Sequence, residues 1–418
     1  MSARDFALFQ LDQLMLPGFK PRVIRRRVAP PVDPRDLALA EQIYVGAVKH
    51  LMLLSSLVEH HSGQRQKNID PVVRKILVIA LYQLRFLRVP AHAAVDEAVE
   101  QTRRFGRPGA AGFVNAVLRN ATRKADPTDL PIDVALSHPR ELLDRLERLL
   151  GAERAAALCR KHNDPPPTIV RLAKGATAEG LVADGVTAKR HATAGMFVVD
   201  GARQALLADW ARRGIAQVQD PTAAAVVLHC DVRPGQTLLD RCCGMGTKTI
   251  QLWECSQPGG RVFAMDANAR RCAALRQLLA DRAISDIGVI EASWLKDAAA
   301  VLPKAFDRIL VDAPCSNSGV LSRRAEARYA QDAETLSSLA ELQARILDDT
   351  APFVAAGGLL VYSTCSIWPE ENEAVVSAFV ERCRQFERER VLTTLPSVDP
   401  DATTHCDGGF VAVLRRRG

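Results

Sequence analysis

The chain has 418 residues, 48% of them hydrophobic and 25% charged, with a net charge of +7. That composition excludes a disordered polypeptide, and no apolar run reaches the roughly 20 residues of a membrane-spanning helix. The length calls for two or three domains. The charge is unevenly placed: residues 1–130 hold 20 Lys and Arg against 12 Asp and Glu, and residues 131–418 hold 35 against 36. A basic front section suits a polyanion partner, although a solvated basic surface explains it equally well. The first residues lack the apolar core of a signal peptide, so a cytoplasmic protein is expected. The ten cysteines include no Cys-x-x-Cys pair and no zinc-ligand spacing. They are expected to be free thiols, with no metal.

Residues 1–125 read as helical. Leu37, Ala40, Ile43, Ala47, Leu51, Leu54 and Val58 recur at helical spacing, and so do Val72, Ile76, Ile79, Ala80 and Leu84 after the start signal Asp70-Pro71. Further helices are expected near 94–105 and 110–123, separated by Gly106-Arg107-Pro108-Gly109. Arg25-Arg26-Arg27, in a loop bounded by Pro21 and Pro30-Pro31, is a candidate phosphate contact. An amphipathic helical stretch covers 140–162. Short strands at Thr168–Leu172 and Met196–Val199 alternate with a helix at Gly201–Arg213, which reads as a small α+β segment. From Gly235 a β/α alternation sets in: strands at 236–240, 261–265, 287–291, 308–312 and 358–363, and helices at 247–254, 268–282, 334–350 and 370–388. This predicts a parallel sheet with helices on both faces.

Three loops at strand ends carry chemistry. Strand 236–240 leads into Arg241-Cys-Cys-Gly244-Met-Gly246-Thr247-Lys248-Thr249 and then a helix. Glycines let backbone approach a nucleoside closely, and a helix amino terminus favours negative charge. Asp266 ends the next strand, where a carboxylate can accept hydrogen bonds from ribose hydroxyls. A dinucleotide fingerprint would need glycine at position 249, which is Thr. The other two loops are Asp312-Ala-Pro-Cys315-Ser and Thr364-Cys365-Ser, each after a short apolar strand. Functional groups of an open α/β sheet gather at the carboxyl edge of its strands, so two thiols and a carboxylate would meet there. Methylating carbon 5 of a pyrimidine requires that carbon to become nucleophilic. A thiolate attacking carbon 6 achieves this, an acid stabilises the charged ring, and a base later removes the carbon-5 proton.

Phe113-Val-Asn-Ala-Val-Leu-Arg119, Gln219-Asp-Pro-Thr-Ala223, the Asp312 and Cys365 motifs, Pro369-Glu-Glu-Asn-Glu373 and Asp407-Gly-Gly-Phe410 together carry a resemblance. The chain resembles the RsmB/Sun family of RNA (cytosine-5)-methyltransferases over nearly its whole length. The resemblance implies a multidomain protein: an all-α NusB-like domain (1–130), a helical linker with a small α+β RNA-binding segment (131–232), and a Rossmann-like S-adenosylmethionine-dependent domain (233–418). It implies that Cys365 is the nucleophile and that Cys315 assists adduct breakdown. Asp312 would stabilise the protonated cytosine, and Lys248 would sit between cofactor and base. Cys242, Gly244, Gly246, Thr247, Lys248, Asp266, Glu291, Ser293 and Asp312 would line the cofactor site. RNA, and 16S rRNA in particular, is the implied partner of a monomeric enzyme.

The cofactor loop departs from the family's C-A-A-P-G-G-K-T: Met245 replaces proline and Thr247 a glycine. Ser293 stands where the family has an acidic residue, with Glu291 two residues earlier. The family's R-H-P-x-x-x-W segment is reduced to 323–329, where Tyr329 would stack in place of tryptophan. Arg323, Arg324 and Arg328 read as candidate phosphate contacts. Two alternatives stay open: a tRNA substrate, or a non-enzymatic RNA-binding or ribosome-assembly factor. The paired cysteines weigh against the second, because a binding module needs neither.

Overall fold

The structure is a computed structural model that describes residues 1–14 and 33–418. The Arg25–Arg27 and Pro30-Pro31 readings lie outside the described residues. Two compact units emerge, Met1–Pro165 with Leu321–Gln331, and Pro166–Val320 with Asp332–Gly418. This is a coarser grouping than the three segments read from the sequence.

The first unit is helical: α1 (Ala3–Leu14), α2 (Pro34–Lys49), α3 (Leu51–Ser62), α4 (Pro71–Phe86), α5 (Ala91–Arg104), α6 (Ala111–Arg123), α7 (Ile132–Leu136), α8 (Arg140–Leu150) and α9 (Ala152–Asn163). Helix α4 starts as its sequence predicts. Asp70 Oδ1 accepts from Val72 N (2.8 Å) and Val73 N (3.2 Å), and Pro71 takes the first position, where no N–H is needed. Its apolar stripe, Val73, Ile76, Leu77, Ile79 and Ala80, is buried in the unit's core with Ile43, Leu54, Val58, Val114 and Leu118. Two continuous helical readings are broken. Residues 34–62 form two helices bent by 81° at His50, since apolar spacing alone does not register a bend. The 140–162 stretch divides at Gly151, whose φ of 81° ends one helix before the next begins. Among the described residues, no single helix is long and apolar enough to cross a membrane.

The second unit holds two sheets. A four-stranded antiparallel sheet contains β1 (Ile169–Leu172), β2 (Thr187–Arg190), β3 (Met196–Asp200) and β4 (Ala216–Val218) in the order β2-β3-β1-β4. The large sheet contains β5 (Thr237–Asp240), β6 (Arg261–Asp266), β7 (Ile287–Glu291), β8 (Phe306–Asp312), β9 (Val354–Thr364), β10 (Phe386–Thr394) and β11 (Gly409–Arg416), in the order β10-β11-β9-β8-β5-β6-β7. Strands β5 to β9 pair in parallel as expected. Strands β10 and β11 are antiparallel additions that the sequence reading missed. The helix expected over 370–388 ends at Arg382, and β10 follows. Phe386-Glu-Arg-Glu-Arg is rich in helix-forming residues, but it is an exposed edge strand, where charge blocks pairing with other chains.

Alternate residues of the central strands enter opposite cores. Ile309, Val311, Leu360, Tyr362, Phe410 and Ala412 pack on one face, and Leu310, Leu359, Val361, Val411 and Val413 on the other. Both faces being buried explains why these strands read as unbroken apolar runs. Burying each Val, Leu, Ile or Phe among them contributes roughly 1.5–3 kcal/mol. The chain runs β5, β6, β7 outward on one side and then returns to β8 and β9 on the other. The strand order therefore reverses between β5 and β8, and a crevice opens at their carboxyl ends.

Candidate active site

The loops that the sequence singled out all lie along this carboxyl edge. Asp312 ends β8 and is in register with Ser363 of β9. Ser363 Oγ donates to Asp312 Oδ1 at 2.8 Å. Lys248, in the first turn of the helix Thr247–Ser256, spans the reversal point and donates to Asp312 Oδ2 at 2.7 Å. Burial alone would lower the Lys248 pKa, but the Asp312 carboxylate outweighs it and holds the ammonium above its ordinary value.

The two cysteines meet. Cys315 Sγ and Cys365 Sγ are 3.2 Å apart. The Cys365 thiol also donates to Asn317 Oδ1 at 3.2 Å, and Asn317 Nδ2 donates to the Cys315 carbonyl at 3.1 Å. Asn317 holds this position with φ of 61°, a conformation that asparagine adopts more readily than most residues. The Cys315 thiol is held well above the ordinary range, first by its hydrogen bond with Cys365 and then by burial. The adjoining pocket is lined by Lys248, Asp312, Thr364 and Cys365 together with Asp220 and Asp407. Gly319 lies against it: its N–H donates to the Cys365 carbonyl at 2.9 Å, and it accepts from Gly408 N at 2.8 Å. A Cβ on Gly319 would stand 2.5 Å from the Gly408 oxygen, so only glycine fits.

The other half of the edge fits a nucleoside cofactor. Gly244 and Gly246 have φ of 55° and 85°, and they turn the chain from β5 into the helix Thr247–Ser256, placing that helix's amino terminus at the crevice. Asp266 Oδ2 accepts from Gly244 N at 3.0 Å and Oδ1 from Asn268 N at 2.8 Å. A carboxylate has about four acceptor sites, which leaves capacity for a ribose diol. Glu291 is the parallel partner of Asp266, so their side chains share one face of the sheet, and Glu291 is exposed at the strand end. Ser293 is also exposed, and its carbonyl accepts from Arg241 Nη2 at 2.7 Å. Cys242 is half-buried in the same loop, with its thiol pushed up to about 12 by burial. The substituted Met245 is 59% exposed, so its side chain carries little of the loop's packing.

Two readings from the 323–329 segment are overturned. Arg328 is fully buried in the helical unit, where Nη1 donates to the carbonyls of Lys49 (2.9 Å) and Ser137 (3.0 Å) and to Asn163 Oδ1 (2.9 Å). It cannot reach a phosphate. Tyr329 is committed to the same unit, with its hydroxyl donating to the Val48 carbonyl at 3.1 Å and its ring against that core. Its ring is therefore not free to stack on a base. Residues 321–331 look basic and exposed in the sequence because their partners lie more than 150 positions away.

The sequence assigned no role to Asn317, Ser363, Glu371 or Asp240. Asp240, at the end of β5, is buried and accepts from Thr249 Oγ1 at 2.7 Å. Burial, then the charge of Asp312, raises its carboxyl to about 7, against the Thr249 hydrogen bond and the charge of Lys248. Among the described residues, two sets of possible metal ligands also converge, His138 with Cys159 and His162, and Asp220 with His405 and Asp407. Burial, and then the buried guanidinium of Arg328, hold both histidines of the first set well below their ordinary value, and that guanidinium repels a cation. Asp220 of the second accepts backbone N–H groups from Thr222 and Asp407. Neither set is assigned as a metal centre.

Comparison with known proteins agrees with this geometry. Residues 227–407 match the family described as 16S rRNA methyltransferase RsmB/F, and residues 1–123 match the NusB family. Ribosomal RNA small subunit methyltransferase B from Pseudomonas syringae is 34% identical over 361 residues, covering 84% of this chain and 80% of that protein. The probable enzyme of the same name from Bacillus subtilis is 28% identical over 100% of this chain and 99% of its own. The crystal structure of PH0851 superposes with a TM-score of 0.78 at 19% identity, covering 100% of this chain and 99% of that one. NSun6 from Pyrococcus horikoshii, solved with SFG, superposes with a TM-score of 0.55 at 16% identity over 67% of this chain and 98% of that one. Fold, sheet-edge chemistry and sequence agree: the chain belongs to the RsmB family of S-adenosylmethionine-dependent RNA cytosine-5 methyltransferases.

Proposed function

We propose that the protein methylates carbon 5 of a cytosine in 16S rRNA, with Cys365 as the nucleophile. The observation that carries this reading is the meeting of Cys365 with Cys315 at 3.2 Å, beside the Lys248–Asp312 pair. The Cys365 thiolate adds to carbon 6 of the base and forms a C–S bond. Electron density moves to carbon 5 as ring N3 gains a proton, balanced by the one the Cys365 thiol gives up and returned when the ring double bond re-forms, and the Asp312 carboxylate accepts a hydrogen bond from that N3–H. Lys248, 2.7 Å from Asp312 Oδ2, orients that carboxylate. S-adenosylmethionine, when bound, would supply the electrophilic methyl group for carbon 5 and be left as the neutral thioether. A base then takes the carbon-5 proton, the C6–S bond breaks, and Cys365 leaves as thiolate while the ring regains its double bond. Cys315 is assigned to this breakdown. Asp266 and Glu291, with the 242–248 loop, would hold the ribose and adenine side of the cofactor.

The base must be presented unstacked, because its faces are hidden inside a helix. The basic NusB-like domain (1–130) and the 131–232 segment grip the RNA, and 233–418 performs the chemistry. The enzyme acts in the cytoplasm as a monomer and without a metal, since thiolate addition and methyl transfer need no Lewis acid. Methyl transfer from labelled S-adenosylmethionine to 16S rRNA transcript, assembling small subunits and tRNA tests the substrate. Label on tRNA alone would replace rRNA with tRNA.

A further inference from the structure

One buried carboxylate beside the two cysteines has no part in the steps above. Glu371 is fully buried, on the turn Pro369–Glu371 that follows the Cys365 loop. The groups that donate to it are all neutral. Ser316 N (2.8 Å) and Gln343 Nε2 (3.1 Å) donate to Oε1, and the hydroxyls of Ser316 and Ser366, both at 2.5 Å, donate to Oε2. Burying a charge without a counter-ion is costly unless hydrogen bonds replace its hydration, and an apolar side chain would avoid that cost. The reason for a carboxylate here therefore lies in what it holds.

It holds both cysteine loops. Ser316 directly follows Cys315, and Ser366 directly follows Cys365. Because the Ser366 hydroxyl donates to Glu371, it must accept from its other neighbours, Ser318 Oγ (2.9 Å) and Trp368 N (3.1 Å). Ser318 Oγ in turn accepts from Ile367 N at 3.0 Å. Every proton in this network has one direction, and the directions end on the carboxylate. The turn that carries Glu371 is itself fixed, since Tyr362 Oη donates to the Glu371 carbonyl at 2.6 Å. Asn372 accepts from Thr364 Oγ1 (2.6 Å) and donates to the Ser366 carbonyl (2.9 Å).

We propose that Glu371 is a positioning residue for the methyl transfer: its two carboxylate oxygens clamp the residue after each cysteine and so hold the Sγ atoms of Cys315 and Cys365 at their working separation. Charge-assisted bonds to an ionised acceptor are roughly twice as strong as neutral ones, so an amide of the same shape clamps less firmly. The proposal rests on Cys365 being the nucleophile.

The test uses the full chain, S-adenosylmethionine and 16S rRNA transcript. Steady-state rates are read alongside covalent adduct formation on transcript containing 5-fluorocytidine, whose carbon-5 fluorine cannot leave as a proton. Glu371→Ala is expected to lower kcat on the order of 100-fold, with KM for RNA and cofactor within about three-fold of wild type. Adduct formation should slow in parallel. Glu371→Gln keeps the shape and one acceptor oxygen, and it should recover about ten-fold of that loss. If the alanine variant does not fold, Gln and Asp at this position carry the test. Wild-type kcat in the Gln and Asp variants, or losses confined to KM, would overturn the proposal. Cys365→Ala run in parallel separates the two levels. An active Cys365→Ala enzyme, or wild type without product, sinks the nucleophile reading and this proposal with it. A dead Cys365→Ala enzyme beside fully active Glu371 variants sinks the proposal alone.

Discussion

At the ends of β8 and β9, side chains hold side chains: Lys248 and Ser363 on Asp312, Asn317 on Cys365, and Ser316, Ser366 and Gln343 on Glu371. At the ends of β5, β6 and β7, backbone does most of the holding. Gly244 N and Asn268 N fix Asp266, the Ser293 carbonyl takes Arg241, and two glycines of positive φ shape the loop. The difference explains where this sequence follows its family and where it departs. A side-chain network fails when one member changes. A loop set by backbone tolerates an exposed Met245 in place of proline, provided that the turns at 244 and 246 survive.

The sharpest way to break this comparison is on the catalytic side. Asp312→Ala should cut kcat by about 10²–10⁴-fold with cofactor affinity little changed, as measured by single-turnover methyl transfer. A comparable loss of cofactor binding instead would mean that Asp312 belongs to the other half. Gly319→Ala should follow, because its Cβ would collide with the Gly408 carbonyl and no side chain can give way. A loss of roughly 1–3 kcal/mol in denaturant unfolding, with a rate loss of about ten-fold or more, is expected.

Asp240 sharpens the cofactor side through pH. Its folded value of about 7 lies above its ordinary value of 3.8, so the folded protein prefers it protonated. Its contribution to stability is therefore greatest below the ordinary value and is lost as pH rises toward and through about 7. Asp240→Asn, which stays neutral, should raise unfolding midpoints at about pH 8 and leave them nearly unchanged at about pH 4. An equal shift at both pH values would remove burial as the cause. The smallest effect is expected at Met245: substitution by Ala should change stability by less than about 0.5 kcal/mol and cofactor affinity by less than about three-fold in calorimetry.

The same contrast governs what could be read from the sequence. Asp312, Cys315 and Cys365 were legible because their chemistry needs those residue types at adjacent strand ends, and the strands before them are apolar on both faces. Glu371 lies inside a recognised motif, yet its role was hidden, because its partner Ser316 is 55 positions away. Strand β10 was hidden because an edge strand rich in Glu and Arg resembles the end of a helix. Arg328 and Tyr329 misled for the opposite reason: short-range context made them look exposed, and long-range packing buries Arg328 and engages Tyr329.

The most direct test is methyl transfer from labelled S-adenosylmethionine to unmodified 16S rRNA transcript, comparing wild type with Cys365→Ala. The structure predicts label on RNA with wild type and none with the variant, which would also show that the 242–249 loop binds its cofactor. Label that persists in Cys365→Ala, or none with wild type on rRNA, assembling subunits and tRNA alike, would contradict the account.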